Sequence, residues 1–282
     1  MKNKFFQNFE HFYQAIKFLG MKGIIITFHF VWVSLFYRKN RRKGEYHFSG
    51  LIFKYDIPLS LIELFADIFT LNPYFFISKG LEPVIIDIGG NIGDSLLYFK
   101  YLYKNSKLYV FEPHPEAFKL LQENIKANKF TDVKTYQEAV SDTKGELKIY
   151  SENKGDSRKS SSDRIFLAKV IDNSLDIVAY TSKLVKISNN KEIKKLKVID
   201  LLKIDAEGHE SKIISDLSSH GILNKVQKVI IEYHFMTKLS DNSLDNIIEK
   251  LRSSGFKLSF FNYYRYLSNV TDTVAFMICA DK

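Results

Sequence analysis

The sequence predicts an α/β fold, a mostly parallel sheet covered by helices and finished by an antiparallel last strand. Three observations lead there. From Pro83 onward, short apolar runs alternate with segments of helical periodicity, the pattern of parallel strands joined by helical crossovers. The first apolar run leads directly into a glycine-rich turn, Asp87-Ile88-Gly89-Gly90-Asn91-Ile92-Gly93. The last helical segment is followed by two apolar runs joined only by the loop 262–272, so the final pair are antiparallel neighbours.

Taken in order, the first strand is Val84–Ile88, and its helix starts near Gly93 and carries Leu96, Leu97 and Leu102. The second strand, Leu108–Phe111, ends at Glu112. Pro115 then opens a helix at a position that tolerates proline, with Phe118, Leu121 and Ile125 on its buried face. Val133–Tyr136 is a weaker third strand, and Gly145 turns the chain into the alternating run Glu146–Tyr150. The stretch Ser151–Arg164 has five serines and reads as a surface loop. It can reach the acceptor side of the cleft, where Arg158, Lys159 and Arg164 could meet an anionic acceptor, and a solvated linker is the alternative reading.

Residues 165–197 are the least legible, although Ile177–Ile187 has strand character. The pattern resumes with the strand Val198–Ile204, a helix from His209 presenting Ile213, Ile214 and Leu217, and the buried strand Val229–Ile231. Leu244, Ile247, Ile248 and Leu251 recur at helical spacing, and Gly255 stops that helix. Phe256–Phe261 and Thr273–Ala280 close the sheet, which brings its strands to seven. Residues 1–80 read as a small helical and β appendage, and residues 81–282 as the domain.

Within the appendage, Gly23–Tyr37 is almost wholly apolar and runs into the basic cluster Arg38, Lys39, Arg41, Arg42 and Lys43. Fifteen residues fall short of the roughly 20 that cross a bilayer as a helix. A packed core helix is the leading reading and an interfacial membrane helix the second. No small-residue cleavage site follows, so the segment does not read as a cleaved signal.

Composition narrows the class further. Apolar residues at 45% and charged residues at 26% are ordinary for a soluble globular chain. The net charge of +9 points to an anionic partner or surface. No zinc finger, aromatic RNA-binding signature or basic zipper is present, so nucleic acid is not the expected partner. The single cysteine, Cys279, excludes an intrachain disulfide and a cysteine metal site, and fits a cytoplasmic protein, with the inner membrane face as the second location.

The chemistry is expected along one rim of the sheet. A glycine turn between strand and helix brings backbone N–H groups close to a ligand. Its register is wrong for a dinucleotide fingerprint, because Asn91 stands where the second glycine belongs and Asp94 where the third does. Asp87 suits a ligand ammonium or an ordered water. Glu112, nineteen residues beyond Gly93, is placed to accept both hydroxyls of a ribose. Together they indicate an adenosine ligand with free ribose hydroxyls, and the register favours S-adenosylmethionine over NAD. Lys203-Ile204-Asp205-Ala206-Glu207-Gly208-His209-Glu210 and Glu232-Tyr233-His234 bring carboxylates and histidines to the next two strand ends.

The residues carrying VIIDIGGNIGDS, VFEPHPEAF, EAVSDTKGEL, LLKIDAEGHE and VIIEYH, in that order, resemble the FkbM-type methyltransferase family over about Pro83–His234. The resemblance implies a class I, Rossmann-like methyltransferase fold with S-adenosylmethionine as donor. It also implies O-methylation of a hydroxyl on a sugar, glycan or related small molecule. Asp87, Gly89, Asn91 and Gly93 would then line the methionine moiety and Glu112 the ribose. Ala139, Val140 and Ser141 would lie near the adenine, with Gly90 and Pro113 completing the cofactor set. Asp205, Glu207 and His234 are the candidates for the base, without a choice among them. A magnesium ion on Asp205, Glu207 and Glu232 is conceivable chemistry, but no metal site is expected. The rival readings are a non-catalytic scaffold that binds an adenosine cofactor and an NAD-dependent sugar-modifying enzyme. The long polar stretch 151–197 departs from the compact family pattern and leaves the acceptor open.

Overall fold

The computed structural model describes residues 13, 16–17, 19–36, 43–152, 160–161, 177–236, 242–261 and 273–282. Most of the serine-rich stretch, Arg38–Arg42 of the basic cluster and the loop 262–272 lie outside the described residues.

The chain opens with helix α1 (Met21–Phe36) and the hairpin β1 (Gly44–Phe48) and β2 (Leu51–Tyr55). Helix α2 (Pro58–Glu63) continues into a π-helical turn, Leu64–Thr70. The domain then follows as β3 (Val84–Ile88), α3 (Asp94–Leu102), β4 (Lys107–Phe111), α4 (Pro115–Ala127) and β5 (Val133–Tyr136). Next come β6 (Glu138–Val140), β7 (Gly145–Glu152), β8 (Ser160–Ser161), β9 (Ile177–Val185) and the short helix α5 (Lys191–Lys195). The last third holds β10 (Ile199–Ile204), α6 (Glu210–Ser219), β11 (Val226–Met236), α7 (Leu244–Ser253), β12 (Lys257–Phe261) and β13 (Thr273–Asp281).

The main sheet has seven strands in the order β12-β13-β11-β10-β3-β4-β5. β11, β10, β3, β4 and β5 run parallel, and β13 inserts antiparallel between β11 and β12. This is the mixed sheet that the sequence predicts, with the late strand reversed. Its centre is dry: Ile85, Ile86, Leu201, Ile204, Val229, Ile230 and Ile231 are almost completely buried. That double-sided burial explains why these strands read as continuous apolar runs rather than alternating ones.

A second, four-stranded sheet, β6-β9-β7-β8, was not legible in advance. The runs Glu146–Tyr150 and Ile177–Ile187 do form strands, but they pair with each other and with β6. β6 is only three residues long, too short for any periodicity to show.

The amino-terminal elements share one apolar cluster with a face of the main sheet. Ile26, Phe30, Phe48, Phe53, Phe65 and Phe69 pack continuously with Ile85, Leu96, Tyr98 and Leu108. A polar clasp holds the hairpin in place. Asn124 and Asn128 on α4 accept from the N–H groups of Lys54 and Ile52 (2.7 and 2.8 Å) and donate to their carbonyls (2.9 and 2.6 Å). The two side chains thus act as a further strand along the open edge of β2. Asn124 also donates to the carbonyl of Ile92 at 2.8 Å, tying the glycine turn to the same clasp.

Candidate functional site

The turn after β3 is shaped by its neighbours. Gly89 (φ +81°) and Gly90 donate their N–H groups to the carbonyl of Phe111 at the end of β4 (2.9 and 3.0 Å). A Cβ on Gly89 would stand 1.9 Å from the carbonyl oxygen of Asp205, and one on Gly90 2.2 Å from Val110 Cγ1. These two glycines therefore allow three strand ends to converge, a packing requirement that the ligand-approach reading did not foresee. Asn91 sits in the left-handed region (φ +44°), and its side-chain oxygen is buried without a hydrogen-bond donor.

Asp87 does not face the cleft as expected. It is wholly buried, 3.0 Å from Lys203 Nζ, and accepts the hydroxyl of Ser95 at 2.5 Å. Lys203 also donates to the carbonyl of Gly89 at 2.7 Å. Burial opposes its charge, but Asp87, Asp205 and Asp94 outweigh burial and hold the ammonium above its ordinary pKa. Asp87 is thus paired from within the protein, beside the lysine that holds the turn.

Glu112 ends β4 where predicted. Its oxygens accept the N–H groups of Asn91 and His114, both at 2.7 Å, so one carboxylate joins the glycine turn to the next loop. Burial pushes its pKa up to about 7 against those two hydrogen bonds. Each oxygen keeps acceptor capacity beyond the backbone N–H it already takes.

Asp205, Glu207 and His234 converge, with one ligand-type atom from each within 4.8 Å of the others. Glu207 holds the left-handed conformation at φ +48°, a strained state for a residue with a Cβ, which Gly208 follows at φ +100°. Glu210 supports this turn from below. Fully buried, it accepts from Gly208 N (3.1 Å) and Ala206 N (3.3 Å) and from Asn242 Nδ2 (2.6 Å), and lies 3.3 Å from His234 Nδ1.

His234 Nε2 lies 3.4 Å from Glu232 and 3.8 Å from Glu207. Burial disfavours the imidazolium, yet Glu207, Glu210 and Glu232 overcome it and raise the pKa well above the usual value. For Asp205, burial and then Glu232 raise the carboxyl well above its ordinary range. For Glu207, burial leads, partly offset by His234, and the pKa reaches about 7 although the side chain keeps 35% exposure.

Two carboxylates and an imidazole within reach of one another are also a set that could hold a metal ion, and His234 would have to lose its proton to ligate one.

One cleft gathers these ends. Of the expected cofactor residues, Gly89, Glu112, Pro113, Ala139 and Val140 line it, joined by Asp205, Glu207 and His209. Leu147 and Ile149 of β7 form an apolar wall that sequence reading did not supply. Gly90, Asn91 and Gly93 shape the turn behind it, and His234 stands behind Glu207. Ser141 reaches the rim through His209 Nδ1 at 3.2 Å. A larger cavity between β5 and β9 shares only Phe111 and Glu138 with this cleft and contains none of the converging acids.

Lys203, His209 and Glu210 stood in the motif at the end of β10 without a role of their own, and Asn242 was not singled out from the sequence. Lys203 had a visible signal, being a lysine inside the apolar run Val198–Ile204, which cannot stay charged and dry without a buried partner. Asn242 had none, since it lies in a polar stretch eight residues from its partner His234.

The chain is similar to known methyltransferases. The family model of the Methyltransferase FkbM domain matches residues 87–258. Methyltransferase 1 of Beauveria bassiana is 27% identical over 192 residues, covering 63% of this chain and 74% of that protein. Methyltransferase sdnD of Sordaria araneosa is 28% identical over 192 residues, covering 60% and 73%. Among solved structures, Methyltransferase FkbM from Methylobacillus flagellatus KT aligns with a TM-score of 0.45 at 12% identity, over 79% of this chain and 54% of that one.

Proposed function

The chain belongs to the Methyltransferase FkbM domain family, and on that premise we propose that it is an S-adenosylmethionine-dependent O-methyltransferase acting on a hydroxyl of a sugar, glycan or related small molecule. The observation that carries this reading is the opening of Glu112, from the end of β4, and of Asp205 and Glu207, from the end of β10, into one cleft on either side of β3.

When bound, S-adenosylmethionine supplies a methyl group on a sulfonium that leaves readily. The residues present suit it. Asn91 offers an unpartnered buried oxygen to an ammonium, Glu112 offers acceptor capacity to ribose hydroxyls, and Ala139 and Val140 offer apolar surface to an adenine. Glu207 is the base. It lines the cleft, and a pKa near 7 lets it hold the hydroxyl proton while still ionising near neutral pH. Asp205 stands beside it. His234, held as imidazolium, positions both carboxylates rather than taking the proton itself.

The test is calorimetric titration with S-adenosylhomocysteine together with labelled methyl transfer to a panel of hydroxyl acceptors, with and without EDTA. Binding and EDTA-insensitive transfer support the reading. Binding without transfer to any acceptor would favour the scaffold, and a melting temperature raised by NAD alone would sink the cofactor assignment. Glu112→Ala is expected to weaken S-adenosylhomocysteine binding by about 1.5–3 kcal/mol, the range for hydrogen bonds to a charged group. An unchanged affinity in a folded variant removes Glu112 from the ribose.

A further inference from the structure

We propose that the exposed side of α1 is a docking surface for anionic phospholipid membranes. The helix is apolar on both sides. Gly23, Ile26, Phe30 and Val33 face the protein, where His29 stacks on Phe65 and its Nδ1 lies 2.7 Å from the hydroxyl of Tyr46. The opposite side presents Met21, Ile25, Phe28, Trp32, Leu35 and Phe36, with Phe28 75% and Leu35 70% exposed. A surface helix of a globular protein ordinarily carries charge on that side. A contiguous exposed apolar face of this kind marks a contact site.

Charge selects the occupant. Residues 1–43 hold nine Lys and Arg against a single Glu, or +8 of the chain's net +9, leaving the remaining residues almost neutral. Six of the nine, Lys2, Lys4, Arg38, Lys39, Arg41 and Arg42, lie outside the described residues and enter through the sequence alone. A second copy of this face would bring two such cationic segments together, which repel. An anionic lipid surface accepts both features, apolar side chains into the acyl boundary and cations among the headgroups. The helix lies flat, because one side is packed on the protein and its 16 residues span about 24 Å, less than a bilayer's ~30 Å hydrocarbon core. No helix among the described residues is long and apolar enough to cross a membrane.

Trp32 is the only tryptophan in the chain and sits on the exposed side, so its emission reports the contact directly. The full-length protein is mixed with phosphatidylcholine vesicles, with and without phosphatidylglycerol, at low and high salt. The expected result is sedimentation with the anionic vesicles, a blue shift of Trp32 emission, and release by salt as the Debye length falls to about 3 Å at 1 M. Phe28→Glu is expected to reduce binding at least tenfold. Leu35→Glu serves as a second variant if the first does not fold, and changing Arg38, Lys39, Arg41 and Arg42 to Gln has the same expected effect. Several outcomes overturn the proposal: no binding to anionic vesicles, equal binding to phosphatidylcholine alone, or sedimentation with Trp32 emission unmoved. So does a concentration-dependent dimer that Phe28→Glu dissolves in the absence of any vesicle binding.

Discussion

Lys203→Met is expected to destabilise the protein by about 3–5 kcal/mol, the cost of leaving a buried charge without its partner. Asp87 is fully buried 3.0 Å from the ammonium and also accepts a hydrogen bond from the Ser95 hydroxyl. The same lysine holds the carbonyl of Gly89, so the turn loosens together with the charge pair. Urea unfolding followed by circular dichroism measures the loss. Adding Asp87→Asn to Lys203→Met removes the orphaned charge and is expected to recover part of the stability. A double variant no more stable than Lys203→Met would show that the pair's charge is not what holds the turn.

Glu207→Gln is expected to slow methyl transfer by about 10²–10⁴-fold, the usual contribution of a positioned general base, while cofactor affinity stays near that of the parent protein. The pH dependence follows from its raised pKa. A base acts only when deprotonated, so the parent rate falls as pH drops through about 7 and levels off above it. Asp205 titrates with Glu207, and the acidic limb therefore belongs to the pair. The variant should lose most of that limb. Single-turnover rates from pH 5.5 to 8.5 decide the matter; a variant within a few-fold of the parent, limb intact, would move the base elsewhere.

Sequence reading carried far where chemistry leaves a pattern. The buried strands β3, β10 and β11 are continuous apolar runs, and Gly255 does end α7, at φ +87°. Glu112, Asp205 and Glu207 stood out because strand ends in open α/β sheets face ligands. What stayed hidden depends on partners far along the chain. Asp87 looked like a ligand contact until Lys203, more than a hundred residues later, was found against it. His234 looked like a free base. Its three carboxylate neighbours come from the turn after β10, from α6 and from its own strand, and their joint effect on its proton appears only when the strands are side by side. The second sheet was missed because β6 and β8 are three and two residues long. α1 was read first as a core helix, and one of its sides, Ile26, Phe30 and Val33, is buried while the other is exposed.

The asparagine clasp also bears on how the protein is made. Lys54 in β2 and its partner Asn124 are 70 residues apart. At roughly 5–20 residues per second of synthesis, α4 emerges several seconds after the hairpin it is to hold. Throughout that interval the edge of β2 that Asn124 and Asn128 later cover is open, and the hairpin is held only by the pairing of β1 with β2 and by its own neighbours in sequence.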